Sequence, residues 1–318
     1  MISNIESDKL ESPCNVCGSN EFEVLFQGGD LMLEIDGDFR WVRCSTCGTL
    51  RQNPMPSWEE LEKSYPPDYG SYTTLLPRNA SLFQRITKRL GQWKRVNFVQ
   101  KYCSSGSWLD IGSGSGQILQ EALFRNQWQL FGLEPNQFAA KYSSDFLELP
   151  IQNCTIEEFL YSDKKFDLIT MWDVLEHIST PTETIKMVSN MLNDDGIFIF
   201  QFPNLASFDR QVFGKYWNGY DLPRHLYLFP EEVIKNILQK NGFQIIEKKC
   251  IAGTYESYLL SLKFFNRSRN SPVIRFVTEN KPFKFFLKLI TFPLIFLADR
   301  LNAGTHITYS AKKVGCGD

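Results

Sequence analysis

The sequence predicts an α/β fold: a largely parallel sheet with helices on both faces, preceded by a small cysteine-built module. Three observations carry this. From residue 107 onward, short apolar runs alternate with amphipathic stretches, as in a parallel sheet wound by helices. The first of these runs passes directly into Gly112-Ser-Gly114-Ser-Gly116 and then into a helical pattern. The first fifty residues hold two Cys-x-x-Cys pairs, each followed by glycine. At 318 residues, 43% hydrophobic and 22% charged, the chain has ample core for one large domain or two ordinary ones. That composition excludes a disordered, collagenous or disulfide-stapled chain. A net charge of −2 excludes a wholly basic nucleic-acid coater. The charge is uneven, however. Residues 78–101 hold seven Lys and Arg and no acid, and residues 255–313 hold ten against three acids. Such zones on an acidic body suit an anionic partner in one region.

In chain order, residues 12–50 read as short extended pieces around the cysteine pairs. A Pro- and Tyr-rich stretch follows, at 53–57 and 65–72, as a linker or lid. Residues 81–101 read as one basic amphipathic helix, with Leu82, Ile86, Leu90, Trp93 and Val96 at helical spacing and Gly91 weakening it. Strands are then expected at 108–111, 130–133, 166–171, 197–202, 243–249 and 305–311. Helices are expected at 117–125, 137–147, 180–192 and 230–241, the last with proline in its first turn. The domain expectation is a zinc ribbon at 1–56, a linker and basic helix at 57–102, and an α/β domain at 103–318 carrying a helical insertion at 255–303.

A glycine triplet between strand and helix lets the backbone lie flat against a ligand, and the helix start offers free N–H groups. Glu134 follows Gly116 by eighteen residues, at the end of the next strand, where an acid can bind ribose hydroxyls. Together these indicate a nucleoside cofactor. The spacing Gly-x-Gly-x-Gly, with Asp110 before it, differs from the Gly-x-Gly-x-x-Gly of dinucleotide-binding dehydrogenases. It resembles motif I of class I S-adenosylmethionine (SAM) methyltransferases. The resemblance runs over roughly residues 105–250 and includes Gly132-Leu-Glu134-Pro135, the run from Phe166 to His177, and the Gly196 turn. It implies a Rossmann-like, seven-stranded sheet. It also implies SAM contacts from Asp110, Gly112, Ser113, Gly114 and Gly116, ribose binding by Glu134 next to Pro135, adenine beside Thr155, and Trp172 and Asp173 beside the methionyl group.

Cys14, Cys17, Cys44 and Cys47 form two knuckles that suit a closed, tetrahedral, structural zinc site. Iron is the less supported alternative, with no electron-transfer partner in view. Cys103, Cys154, Cys250 and Cys316 are expected to be small buried hydrophobes. A ribbon ahead of a SAM domain resembles methyltransferases of bacterial surface-polysaccharide gene clusters. That resemblance implies a sugar nucleotide or lipid-linked saccharide as acceptor. RNA methylation is a second reading, against which the ribbon segment sets Arg40 and Arg43 amid more numerous acids, so a nucleic-acid partner is not expected. A non-catalytic SAM-binding partner protein is a third.

For the chemistry, His177 and His225 lie after strands, at the edge where doubly wound sheets bind ligands. His225 is a candidate base or substrate anchor. Arg224, with Arg210, Tyr216 and Trp217, suits a phosphate-bearing sugar ring. Asp173-x-x-Glu176-His177 resembles the segment with which ubiquinone-pathway O-methyltransferases and small-RNA 2′-O-methyltransferases bind a divalent ion. It implies Mg2+ or Mn2+ on Asp173, Glu176 and His177, with His225 as a further ligand. The alternative is a set of fixed hydrogen bonds. His306 is expected to be a packed or surface residue.

The start of the chain lacks a basic segment followed by an apolar run, so a cytoplasmic protein is expected. Its longest charge-free apolar stretch, 289–298, is well short of the ~20 residues a spanning helix needs. Within 255–303, apolar helices flanked by Lys and Arg suit a contact with the inner membrane face. The alternative is packing on the sheet or in a homodimer.

Overall fold

A computed structural model describes residues 11–65, 75–77, 79–161 and 164–314. The Tyr- and Pro-rich lid expected at 66–72, the chain start and Cys316 lie outside the described residues. The strands are β1 (Phe22–Asp30), β2 (Ile35–Cys44), β3 (Leu50–Gln52), β4 (Gly106–Ile111), β5 (Trp128–Leu133), β6 (Ile151–Gln152), β7 (Phe166–Trp172), β8 (Leu192–Pro203), β9 (Tyr227–Leu228), β10 (Phe243–Lys249) and β11 (His306–Lys313). The helices are α1 (Trp58–Lys63), α2 (Leu82–Lys88), α3 (Leu90–Gln100), α4 (Gln117–Leu123), α5 (Gln137–Leu147), α6 (Pro181–Met191), α7 (Phe208–Phe213), α8 (Glu231–Lys240), α9 (Thr254–Arg269), α10 (Pro272–Glu279) and α11 (Lys281–Arg300).

Seven strands form the main sheet in the order β10-β11-β8-β7-β4-β5-β6. The pairs from β8 to β6 are parallel, and β11 runs antiparallel between β8 and β10. Chain order reverses between β4 and β7, which opens a crevice at their C-terminal ends. Both faces are covered, so strand residues are apolar on both sides. On β8, Phe198, Phe200 and Phe202 stack on one face and continue onto Tyr309 of β11. Ile197 and Ile199 fill the other face with Trp108 and Leu168.

Three expectations need correction. The single helix at 81–101 is two, broken at Arg89, whose φ −136° and ψ 36° leave the helical region. Leu82, Phe83 and Leu90 are exposed, while Arg85 chelates Glu121 and Arg89 bonds Gln117 at 2.7 Å. The basic side of this segment therefore faces α4, and the apolar stripe takes over the packing only at Val96, Phe98 and Val99.

The cysteine module also lacks a core of its own. Its sheet runs β1-β2-β3-β9, and β9 belongs to the stretch after β8. Trp41 and Leu50 are buried in one cluster with Phe213, Trp217, Tyr220, Leu222 and Leu228. Val16 and Cys47 pack on the main core.

Finally, the insertion between β10 and β11 holds three helices where two were expected. Ser271 caps α10 by accepting from Ile274 N, with Pro272 next to it in the first turn.

Candidate active site

The glycine loop leaves β4 at the chain-reversal point. Gly112, Gly114 and Gly116 have φ of 68°, 53° and 79°, all in the left-handed region that glycine enters without a Cβ clash. At Gly112 a Cβ would lie 2.5 Å from Val174, so the absence of a side chain lets the loop pack against the turn after β7. Glu134 closes the loop from the next strand. Its carboxylate accepts from Gly114 N at 2.7 Å and from Asn136 N at 2.8 Å. Burial raises its pKa, which those two N–H groups oppose. Asn153 donates to the carbonyls of Glu134 and Pro135 at 3.0 and 2.8 Å, which holds the half-buried Thr155 segment beside them.

Asp110 is buried and accepts from Thr170 Oγ1 at 2.6 Å, and Thr170 in turn receives Trp108 Nε1–H at 2.8 Å. Burial pushes its pKa up to about 7, against the pull of Thr170 and Arg95. The Ser113 hydroxyl and Trp172 Nε1 are buried without a hydrogen-bond partner among the described residues. Left-handed glycines, an anchored acid and unsatisfied polar atoms at one crevice fit SAM.

Asp173 sits at φ 58°, a strained position for a residue with a side chain. Arg95 Nη2 reaches its carboxylate at 2.8 Å, Gln201 Nε2 at 2.9 Å, and His306 Nε2 lies 3.7 Å away. Burial opposes its ionisation, but His306 and Arg95 hold its pKa below the usual carboxylate range. Asp173 therefore does not join the candidate metal ligands. Those are Glu176, His177 and His225, whose ligand atoms all lie within 4.8 Å of one another.

Nδ1 of His225 is 2.8 Å from Gly219 O, and Nδ1 of His177 is 2.9 Å from Arg224 O and 3.1 Å from the Tyr65 hydroxyl. A carbonyl only accepts, so in each neutral ring Nδ1 carries the proton and Nε2 keeps its lone pair. Burial lowers both imidazoles, His177 to about 3, so both are neutral at neutral pH. Glu176 is fully buried with neither carboxylate oxygen hydrogen-bonded among the described residues, and its pKa is pushed up by burial and then by Asp173. An orphaned buried carboxyl beside two imidazole lone pairs fits a divalent cation.

Arg224 is a correction. It is fully buried and pairs with Asp30 at 2.6 and 2.8 Å and with Asp221 at 2.7 and 2.9 Å. Its guanidinium ties the N-terminal sheet to the 208–225 segment and does not reach out to an acceptor.

The four Cys side chains also converge within 4.8 Å. The Cys14–Cys47 and Cys17–Cys44 sulfur distances are 3.8 and 3.5 Å. Thiolates about 2.3 Å from a tetrahedral zinc stand about 3.8 Å apart, so the tetrad fits the ion. Gly18 and Gly48, both at φ 77°, close the two knuckles by donating to Cys14 O and Cys44 O at 2.7 and 2.9 Å. Burial raises the thiols of Cys14 and Cys17, the latter to about 12, whereas at Cys44 burial is outweighed by the N–H groups of Cys47 and Thr46, which bring the thiol down to about 7.

A cavity of ≈ 110 Å³ lies between β1 and the 208–225 segment, lined by Phe26, Lys215, Tyr216, Trp217, Asp221 and Phe264 among others. Trp217 Nε1 on its wall is buried without a partner. A second cavity of ≈ 240 Å³ borders Asn204, Pro230 and Tyr309, and neither includes a glycine-loop residue.

Sequence reasoning missed Arg95, Thr170, Gln201, Tyr65 and Asp30, and placed His306 away from the site. One signal was available for His306. An antiparallel last strand starts at the edge where its parallel neighbours end, and His306 pairs with Pro203 there.

The methyltransferase domain family matches residues 78–248, more than half of the chain. The ubiquinone biosynthesis O-methyltransferase of Actinobacillus pleuropneumoniae serotype 5b (strain L20) is 29% identical over 154 residues, 45% of this chain and 65% of that protein. That of Pasteurella multocida (strain Pm70) is 32% identical over 111 residues, 30% of this chain and 46% of that one. The chain thus spans about half to two thirds of the length of these curated relatives. Among solved structures, a SAM dependent methyltransferase from Archaeoglobus fulgidus superposes with a TM-score of 0.47 at 18% identity, over 73% of this chain and 98% of that one. By the extent of the family match, together with the glycine loop and sheet order that carry it, the chain belongs to the methyltransferase domain family.

Proposed function

We propose that the chain transfers a methyl group from SAM to a hydroxyl of a small, ring-bearing acceptor. The observation that carries this reading is the convergence of Glu176, His177 and His225, two imidazole lone pairs and an unpaired carboxyl in one buried cluster. Methyl transfer is a direct displacement in which bound SAM supplies the electrophile. What remains for the protein is to align the acceptor and remove its proton. The glycine loop and Glu134 hold the cofactor end. His225, its tautomer set by Gly219 O, offers Nε2 to the acceptor proton. Asp173, locked by Arg95 and Gln201, keeps the turn after β7 in place between the two. Mg2+ or Mn2+ held by Glu176, His177 and His225 would occupy the His225 Nε2 lone pair, and would then supply Lewis acidity toward the acceptor hydroxyl in place of His225 as base. Zinc on four thiolates leaves no coordination position for a substrate, so the tetrad serves the fold.

The 208–225 segment that ends on His225 also carries Lys215 and Tyr216, a cation and an aromatic face that would suit a ring carrying an anionic group, such as a nucleotide-linked or lipid-linked saccharide. A phenolic hydroxyl is the second reading, favoured by the likeness to ubiquinone biosynthesis O-methyltransferases. The test is transfer of labelled methyl from SAM into sugar nucleotides, lipid-linked saccharides and a catechol, with and without EDTA. Label in one of these acceptors, lost on chelation and restored by Mg2+ or Mn2+, is expected. Full activity after stringent chelation would remove the metal and leave His225 as base. Label in none of them would overturn the hydroxyl reading.

A further inference from the structure

Helix α11 is built inside out. The side turned to the protein is narrow, with Ile295 and Ala298 buried and Thr291 bonded back to Leu287 O at 2.7 Å. Helix α9 meets it through polar contacts. The Tyr255 hydroxyl donates to Lys284 O at 2.9 Å, the Tyr255 ring faces Lys288 Nζ at 4.8 Å, and Thr254 Oγ1 donates to Asp299 at 2.6 Å. The large apolar side chains point the other way. Phe285 is 60% exposed and Ile290 76%, with Phe286, Phe292, Leu294 and Leu297 all more than half exposed. At about 100° per residue these span an arc of about 200°. Val273 and Phe276 of α10 extend the surface. Patches this wide on a folded protein mark an interaction site.

Width and charge decide the occupant. A helical partner or a second copy needs a narrow apolar seam, whereas this arc exceeds half the circumference. Basic residues surround it: between 267 and 300 there are seven Lys and Arg against Glu279 and Asp299. An anionic bilayer offers apolar depth and negative headgroups together. No helix among the described residues is long and apolar enough to cross a membrane, so the contact lies in the plane of the surface. We propose that α10 and α11 form an interfacial anchor on anionic lipid, with Phe285, Ile290 and Phe292 in the acyl boundary and the exposed Arg300, on the same side of the helix, at headgroup level. The anchor is independent of the acceptor proposed above.

The test is cosedimentation of the full chain with phosphatidylcholine vesicles, with and without phosphatidylglycerol, alongside velocity sedimentation without lipid. Binding is expected to the phosphatidylglycerol vesicles and to weaken with salt. Replacing Phe285, Ile290 and Phe292 together by Ser should lower partitioning by about 100-fold or more. Because all three are exposed, the melting temperature and SAM affinity should hold. Arg300→Glu should lower partitioning by about fivefold or more, and serves if the triple variant fails to fold. No cosedimentation at low salt, or equal partitioning of the variants, overturns the proposal. A concentration-dependent dimer lost in the triple variant would assign the face to a second copy instead.

Discussion

The molecule gathers ligand atoms in two places, and they are built by different rules. The cysteine tetrad comes from two short, repeated knuckles, each closed by its own glycine, and it is a complete tetrahedral set. The Glu176, His177 and His225 cluster comes from two turns almost fifty residues apart, and its carboxyl has no hydrogen-bond partner among the described residues. A complete set holds structure. An incomplete, buried one stays open to something that is not protein. The difference predicts opposite consequences of damage, in stability for the first and in turnover for the second.

The largest effect should follow Cys44→Ser. If the tetrad holds zinc as proposed, the variant should lose the ion and about 5 kcal/mol or more of stability. Because β3 pairs with β9 and Cys47 packs on the main core, the loss should spread through the whole chain in one transition. Calorimetry with metal analysis checks this. Two separate transitions, with the larger one unchanged, would restore the ribbon as an independent unit.

His225→Ala should act the other way. Turnover should fall about 100- to 10,000-fold, while SAM affinity changes by no more than about threefold. Equal turnover would remove His225 from the chemistry. Glu176→Gln sharpens the point, since an amide keeps the volume but cannot ionise, and its residual activity should be insensitive to EDTA.

Asp30→Asn comes next. It takes one carboxylate from Arg224 and leaves Asp221, so about 3 kcal/mol should be lost in urea melts, at the low end for a broken buried pair. Turnover per folded molecule should not change. A large drop in turnover with stability intact would return Arg224 to the acceptor site.

What was legible in the sequence follows the same division. Asp110, the glycine loop and Glu134 are contiguous with strands whose apolar runs announce them, so fold and cofactor crevice could both be read. The tetrad was legible because its knuckles repeat. Arg95, Asp30 and Tyr65 were not, because each reaches its partner only through tertiary placement, and no local period marks it. β9 is two residues long, too short to show a strand period, so the sharing of the N-terminal sheet was hidden. The apolarity of α11 could be read, but not which side it turns outward. That side was decided by Tyr255 and Thr254, which supply polar contacts where an apolar face was expected.

The smallest effect is a pH dependence that separates a proton site from a cation site. His177 is held at about 3, against an ordinary imidazole value of 6.5, first by burial and then by the neighbouring His225. As pH falls below about 6.5 the unfolded chain takes up a proton on this residue, and the folded chain does so only near 3. In that window the unfolded state binds more protons, so stability must fall with falling pH, by at most ~1.4 kcal/mol per pH unit for one group. His225, also lowered by burial, acts in the same direction. Glu176, Glu134 and Asp110, all raised by burial and Asp110 to about 7, act against it, so the His177 share is read from the difference between wild type and His177→Gln. Urea melts at about pH 7, 6 and 5 give the slope. A cation on the two Nε2 atoms must leave before protons bind there, so saturating Mn2+ should raise stability at pH 7 and steepen the slope. A slope and stability indifferent to Mn2+, in protein stripped of metal, would make the cluster a proton site alone, with a protonated Glu176 filling the place assigned to the ion.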